Sequence, residues 1–501
     1  MFKKVYYKKK RSMASRMAGW ISILLVLLLL VSACSAESST ENGEKGDSKP
    51  YEVVMTYPAY GDVSDFGSVQ EAISKITLEK MNATVKLLPI PVSNYANQVN
   101  LMLSGSEKVD LVYTRVWEAF DNKARTGQLL PLNELIGKHG QSVKDLIPPE
   151  FADAGKIDGE TYGIPSIKGW ALTPSLIMSK DLVEKHGIDV NEINTWDDVA
   201  PVLELIKTNE PGVAPLVNRA LREPPASIIH FLDPLGDFLG VLEFEAGGYK
   251  IENKFETNSY KEAVDITRGW FEAGYMNKDI TTTQELGSTL VKSGKAFSFL
   301  RNINDCASEQ ISGTELVCAP LGKSYITRNS VSSNMISIGR NSENPEKAME
   351  FINLLYSDEE VINLFTNGIE GKHYVQGKNG LIKKPEGAKS TGYDSNQFLV
   401  GNNFLSYVWE GNDPEVWKDM KKMNEEAEPS RAMGFSFDSS QVKNQLTAVT
   451  NVVNQFFIAF ETGSLDPGEL PEFIEKLKGA GIDQIVKEKQ KQLDEWVKKY
   501  Q

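Results

Sequence analysis

Past residue 50 the chain alternates between short apolar runs and longer stretches in which apolar residues return every three or four positions. YEVVMTY at 51–57 reads as a strand, residues 68–81 as a helix, TVKLLPI at 84–90 as a strand and VDLVY at 109–113 as another, buried strand. Strands alternating with helices predict an α/β layer architecture with mostly parallel strands. No fixed-period repeat interrupts the alternation.

Helix starts are written into the same pattern. Thr195 with Asp198 precedes Val199, Val202, Leu203 and Ile206, and Ser259 with Glu262 precedes Ala263, Val264, Ile266 and Trp270, a helix that Gly274 ends. Asn344 and Pro345 open a helix bearing Ala348, Phe351, Ile352 and Leu355, and Ser357 with Glu360 opens the next. The last helix, 482–500, places Ile482, Ile485, Val486, Leu493 and Trp496 on one face, which is expected to pack against the body of the protein.

The first fifty residues follow a different logic. Lys3, Lys4, Lys8, Lys9, Lys10, Arg11 and Arg16 precede the apolar run WISILLVLLLLV at 20–31, and Val31-Ser32-Ala33-Cys34 closes it. That is the form of a secretory signal peptide, and the run is shorter than the ~20 residues a bilayer-spanning helix needs. The small residues before Cys34 resemble the lipobox of bacterial lipoproteins, so residues 1–33 are expected to be removed and Cys34 to carry the lipid. SAESSTENGEKGDSKP then reads as a solvated tether ending near residue 50.

Loss of residues 1–33 removes seven positive charges and no negative ones, so the formal charge of −14 becomes −21. Nucleic acid is thereby excluded as a partner class, because binding to a phosphate backbone needs basic patches. Four scattered histidines (His139, His186, His230, His373) and the remaining pair Cys306 and Cys318 show no metal-ligand spacing. A disulfide between those two cysteines and two separate buried thiols are both compatible with the sequence. Nucleophile-elbow, zinc-protease, phosphate-loop and dinucleotide motifs are missing, so neither a metal nor a cofactor is expected. The 468 residues that remain of 501 exceed one core, which predicts two or three domains.

The order of segments resembles the extracellular solute-binding proteins of ABC importers, family-1 class. Leu103-Ser104-Gly105 with VDLVY, GQLLPLNEL at 127–135, IDGETYGIP at 157–165, TWDDV at 195–199, EAGYMNKD at 272–279, SGKAFSFL at 293–300 and the helix NPEKAMEFINLL at 344–355 carry the resemblance. YSDEEVINLFTNGIEGKHYV at 356–375, GFSFD at 434–438 and GIDQIVKEKQKQLDEW at 481–496 resemble the LplA-type subgroup, which has a C-terminal domain of unknown function. The resemblance implies a periplasmic-binding-protein-like fold of two α/β lobes. Residues 51–165 with 324–375 would form lobe 1, and 166–323 with 376–501 lobe 2, the crossings falling near Ser166, Lys323 and Tyr374. It implies a monomeric, lipid-anchored protein at the outer face of the membrane that captures a small solute, foremost an oligosaccharide, and delivers it to ABC permease subunits. A peptide or lipid-derived ligand on the same scaffold is the alternative, and a glycan-processing surface enzyme a further one.

Sugars present an apolar ring face and a rim of hydroxyls, so a sugar cleft needs aromatic platforms beside multidentate polar groups. Candidates at strand ends or crossings are Tyr60 after the first strand, Trp117 after VDLVY, Trp170 past the first crossing, Arg301 and Asn302 after AFSFL, and Tyr374 by the third crossing. For each aromatic, ordinary lobe packing is the competing role. Trp196, Trp270 and Trp496 fit helix packing faces, whereas Trp409 and Trp417 fit either role. Replacement of Cys34 by Ala is expected to abolish acylation; palmitate labelling checks this, and undiminished label on the variant would refute the lipobox reading.

Overall fold

The computed structural model describes residues 49–303, 315–394 and 396–501; Cys34 and Cys306 lie outside them. Strands β1 (Tyr51–Ala59), β2 (Ala83–Pro91) and β3 (Leu111–Thr114) stand at the predicted apolar runs, with helices α1 (Phe66–Met81) and α2 (Val92–Ser104) as the connections. Both β2 and β3 pair with β1 in parallel. From Val53 to Ala59 every residue of β1 is buried, because helices cover both faces of a sheet wound in this way.

Past β4 (Ile164–Pro165) the chain leaves for a second region. There β5 (Thr173–Ser179), β6 (Ala214–Val217), β7 (Leu232–Asp233), β8 (Gly240–Glu243), β9 (Glu252–Asn253), β10 (Ala296–Ile303) and β11 (Leu316–Pro320) follow in order. The larger sheet runs β11-β5-β10-β6, and β7 to β9 form a small antiparallel sheet beside it. β12 (Met335–Ile338) then returns to complete the first sheet, β2-β1-β3-β12-β4, where it lies antiparallel to both neighbours. β5 is likewise antiparallel to β10 and β11, so strand direction is more mixed than alternation alone predicted. Cys318 on β11 is disulfide-bonded.

Helices α3 (Trp196–Asn209), α4 (Asn258–Glu272), α5 (Pro345–Ser357), α6 (Glu359–Asn367), α7 (Val416–Glu426), α8 (Lys443–Glu461), α9 (Leu470–Ala480) and α10 (Ile482–Tyr500) complete the frame. Thr195 and Asp198 form the predicted capping box, and Asn344 caps α5. Two starts are shifted. Thr257, not Ser259, caps α4, and Asp358, not Ser357, caps α6, because in each case the residue nearer the chain reversal reaches the free N–H groups first.

Among the described residues there are two large apolar cores and two smaller clusters. The first is built by side chains from Val53 to Ala171 and again from Ile326 to Met433; the second takes those from Leu176 to Leu321 and from Val442 to Ile485. The third passage between them therefore falls between Ala427 in the first core and Val442 in the second. Near Tyr374, where the resemblance places that crossing, and beyond it in 376–501, which the resemblance gives to lobe 2, the chain still serves the first core: Tyr393, Leu399, Val400 and Ala427 pack there. The stretch from 376 to 415 has only short strands and turns, so no periodicity marked which core it serves.

The first passage, residues 166–172, runs buried without a continuous strand partner, and its backbone groups are satisfied one by one. The N–H of Ser166 donates to Asn334 O at 2.9 Å and that of Ile167 to Gly401 O at 2.9 Å. Asn424 on α7 serves three groups: its Oδ1 accepts from the N–H of Trp170 (2.7 Å) and Ala171 (2.9 Å), and its Nδ2 donates to Lys168 O at 2.8 Å. Replacing Asn424 with Ala strands two donors and an acceptor, and is expected to cost about 3 kcal/mol of stability or more. Denaturant unfolding checks this, with a loss below ~1 kcal/mol counting against the account.

Candidate ligand-binding cleft

The passages and the two cores enclose a cavity of about 580 Å³, within the range of small-molecule sites. Lys168, Gly169, Trp170 and Leu172 of the first passage, with Tyr325 and Thr327 of the second, line its floor. Trp117, Asn329, Ser330 and Ser333 come from the first-sheet side, and Ser227, His230, Phe238, Lys254, Arg301 and Asn302 from the other.

Trp117 sits in a single turn, Val116–Glu118, directly after β3. The Val116 N–H donates to Ser332 O at 3.2 Å. Arg115 pairs with Glu118 at 2.7 Å and places its guanidinium 5.7 Å from the centre of the indole ring. The side chain is held from below and remains 59% exposed. Phe238, 54% exposed, stands on the turn between β7 and β8. That turn puts Leu235 at φ 45° and Phe238 at φ 63°, left-handed conformations that cost a non-glycine residue about 1–2 kcal/mol each. The Phe238 N–H bonds to Pro234 O at 3.2 Å and the Leu239 N–H to Asp237 Oδ1 at 3.0 Å. One large apolar surface is thus offered to the cavity from each side.

Between them lie polar atoms with unused hydrogen-bonding capacity. Neither ring nitrogen of His230 nor Oδ1 of Asn302 has a partner among the described residues, although all three atoms are buried. Burial, with the Lys254 charge nearby, holds the His230 imidazole well below its ordinary pKa, so it stays neutral and offers one donor and one acceptor. Burial also pulls the Lys168 ammonium down to about 8. Lys254 pairs with Glu461 at 2.9 Å. No carboxylate lines the cavity among the described residues.

Of the sequence candidates, the structure brings Trp117, Trp170, Arg301 and Asn302 to this cavity. Trp170 only touches it: the side chain is 3% exposed, its ring lies 5.0 Å from that of Phe151, and its indole N–H is used by Ser166 O at 2.9 Å. It packs as a core residue, because the passage that carries it is itself buried. Tyr60, 56% exposed, and Tyr374, buried with its ring 5.9 Å from that of Tyr407, are not among the residues lining the cavity. Tyr374 was nominated from a crossing that the chain makes some sixty residues later. Phe238, His230 and Lys168 escaped the sequence reading. For Phe238 a signal existed in DPLGDFLG at 233–240, a turn composition between two apolar pairs.

The family of bacterial extracellular solute-binding proteins matches residues 60–362, and a domain of unknown function, DUF3502, matches residues 431–498. A carbohydrate ABC transporter substrate-binding protein of Streptococcus pneumoniae serotype 4 is 26% identical over 488 residues, 94% of this chain and 97% of that protein. The polygalacturonan/rhamnogalacturonan-binding protein YtcQ of Bacillus subtilis is 21% identical over 354 residues, 66% of this chain and 70% of its own. The crystal structure of the N-glycan transport solute-binding protein NgtS from S. pneumoniae superposes with a TM-score of 0.81 at 24% identity, covering 90% of this chain and all of that one. The NgtS complex with Man5GlcNAc gives 0.69 at 25% identity over 90% of this chain and 99% of the other.

Trp117→Ala is expected to weaken ligand binding by about 1 kcal/mol or more with little change in melting, whereas Trp170→Ala should cost ~3–5 kcal/mol of stability. Calorimetric titration beside a melting curve separates the two. A Trp117 variant that melts far below the parent yet binds normally would overturn the assignment.

Proposed function

Since the chain belongs to the bacterial extracellular solute-binding proteins, we propose that it captures an oligosaccharide in the cleft between its two lobes and delivers it to an ABC permease without altering it chemically. The observation that carries this reading is the pairing of Trp117 and Phe238, exposed aromatics from opposite sides of one cavity, with the unpartnered His230 and Asn302 beside them. Aromatic faces suit sugar rings, and neutral buried donors and acceptors suit hydroxyls. The N-glycans named with NgtS and the carbohydrate named with the pneumococcal relative supply the class of ligand to test first.

We take residues 50–171 with 326–433 as one lobe and 176–321 with 442–501 as the other, following the cores. The two would close on the ligand by rotation about the three passages, its differential affinity selecting the closed form. The protein would act as a monomer, held at the outer membrane face by lipid on Cys34 and spaced from it by the tether up to residue 50. Among the described residues no helix is long and apolar enough to cross a membrane.

A second reading, an acidic oligosaccharide, is favoured by Lys168, whose ammonium faces a cavity with no carboxylate among its described lining residues. Titration with Man5GlcNAc and with uronate oligomers distinguishes the two. A neutral glycan should bind with a smaller radius of gyration and, at about a hundred times Kd, stabilise the protein by about 2.7 kcal/mol. An acidic ligand paired with Lys168 should lose affinity as pH rises through 8, because deprotonation removes the cation it pairs with; the limit is about tenfold per pH unit. Binding of peptides but of neither glycan class would refute the carbohydrate reading.

A further inference from the structure

The cleft wall that carries Phe238 and Lys254 is one stretch of chain, residues 233–256, and it is tied down at three points by side chains from the C-terminal part. At its start, the fully buried Lys489 of α10 pairs with Asp237 and donates to Gly240 O at 2.9 Å and Leu235 O at 3.4 Å. In its middle, the Arg431 guanidinium donates to the carbonyls of Glu243 (2.8 Å), Phe244 (3.0 Å) and Gly248 (2.9 Å). At its end, Lys254 meets Glu461 of α8 at 2.9 Å with both side chains buried. Beneath the turn, Leu235 and Leu242 share a small apolar cluster with Phe435 and Leu493.

An ion pair buried on both sides, Lys254 with Glu461, and one whose lysine is fully buried, Lys489 with the half-buried Asp237, are an expensive way to gain stability, since apolar residues of similar volume often serve as well or better. What they supply is geometry. The turn from Leu235 to Phe238 holds two non-glycine residues in left-handed backbone, a conformation that persists only where the surroundings over-determine it. The carbonyls on either side of Phe238, at Leu235 and Gly240, are the ones Lys489 takes. Arg431, Glu461 and Lys489 all lie within residues 431–498, the domain of unknown function.

We propose that this C-terminal domain is a scaffold that presets the ligand-contacting wall, with Lys489 the positioning residue for Phe238 and Glu461 that for Lys254. The proposal rests on the reading of the cavity as the ligand site.

Hydrogen exchange of the ligand-free protein is the first test. Lys489→Met, and Asp237→Asn, which keeps an acceptor for the Leu239 N–H while removing the charge, should both speed exchange of the amides at 235–240 relative to the rest of the second lobe. Should Lys489→Met fail to fold, Asp237→Asn decides. The second test is titration with Man5GlcNAc, in which either variant should bind about tenfold more weakly than the parent but lose nothing further in a Phe238→Ala background. Unchanged exchange at 235–240 in the folded variants overturns the proposal. So does faster exchange with parental affinity, or an affinity loss that simply adds to that of Phe238→Ala. If the parent itself ignores Man5GlcNAc, the choice of ligand fails while the exchange result still decides the scaffold.

Discussion

A chain that serves two sheets must carry its backbone through the space between them, where no strand is available to pair with it. In this protein the requirement is met by single backbone contacts and by asparagine side chains. Asn424 satisfies three groups of the first passage, and Asn403 adds its N–H to Ile167 O at 2.9 Å and its Nδ2 to Ser166 Oγ at 2.9 Å. Buried backbone left unpaired is costly, so the passage can lie inside the molecule only because α7 and the 401–403 turn lie against it. The location of the cleft follows: Lys168 to Leu172 and Tyr325 to Thr327 are passage residues and line the cavity floor. The irregular stretch from 376 to 415, together with α7, thereby becomes support for the cavity floor.

Charge is distributed to the same end. A chain with a formal charge of −14 keeps carboxylates away from the described cavity lining and places Lys168, Lys254 and Arg301 there instead. Lys254 is paired with Glu461, and burial holds His230 neutral. The polar atoms facing the cavity are suited to hydroxyl groups, and Lys168 sets the scope for a negatively charged one.

Much of the fold was legible because it is written locally. Thr195 with Asp198, Asn344 with Pro345, and the apolar run of β1 each contain their own signal within a few residues. The run toward the third passage contains little, since residues 376–415 are held by contacts to distant elements rather than by periodicity. The site divides on the same line. Trp117 was legible as the residue following a buried strand, and Arg301 and Asn302 as the end of another. The depth of Trp170, which touches the cavity but is buried, is not a local property: it depends on Phe151 and on Asn424, the latter far along the chain. Lys489 left a faint mark, a cation on the apolar stripe of α10, but its three partners lie some 250 residues away.

The exposure of Trp117 also gives the molecule an optical property. Among the described tryptophans it is the one large aromatic of that type left open to water, while Trp170 is buried and Trp196, Trp270, Trp409, Trp417 and Trp496 are at least partly covered. Water around an indole shifts its emission to the red, so Trp117 is expected to emit at the red edge of the protein's fluorescence. Any ligand that covered its face would displace water from one chromophore and leave the other six described tryptophans where they were, so occupancy of the cleft would be reported in the colour of the light without any label attached.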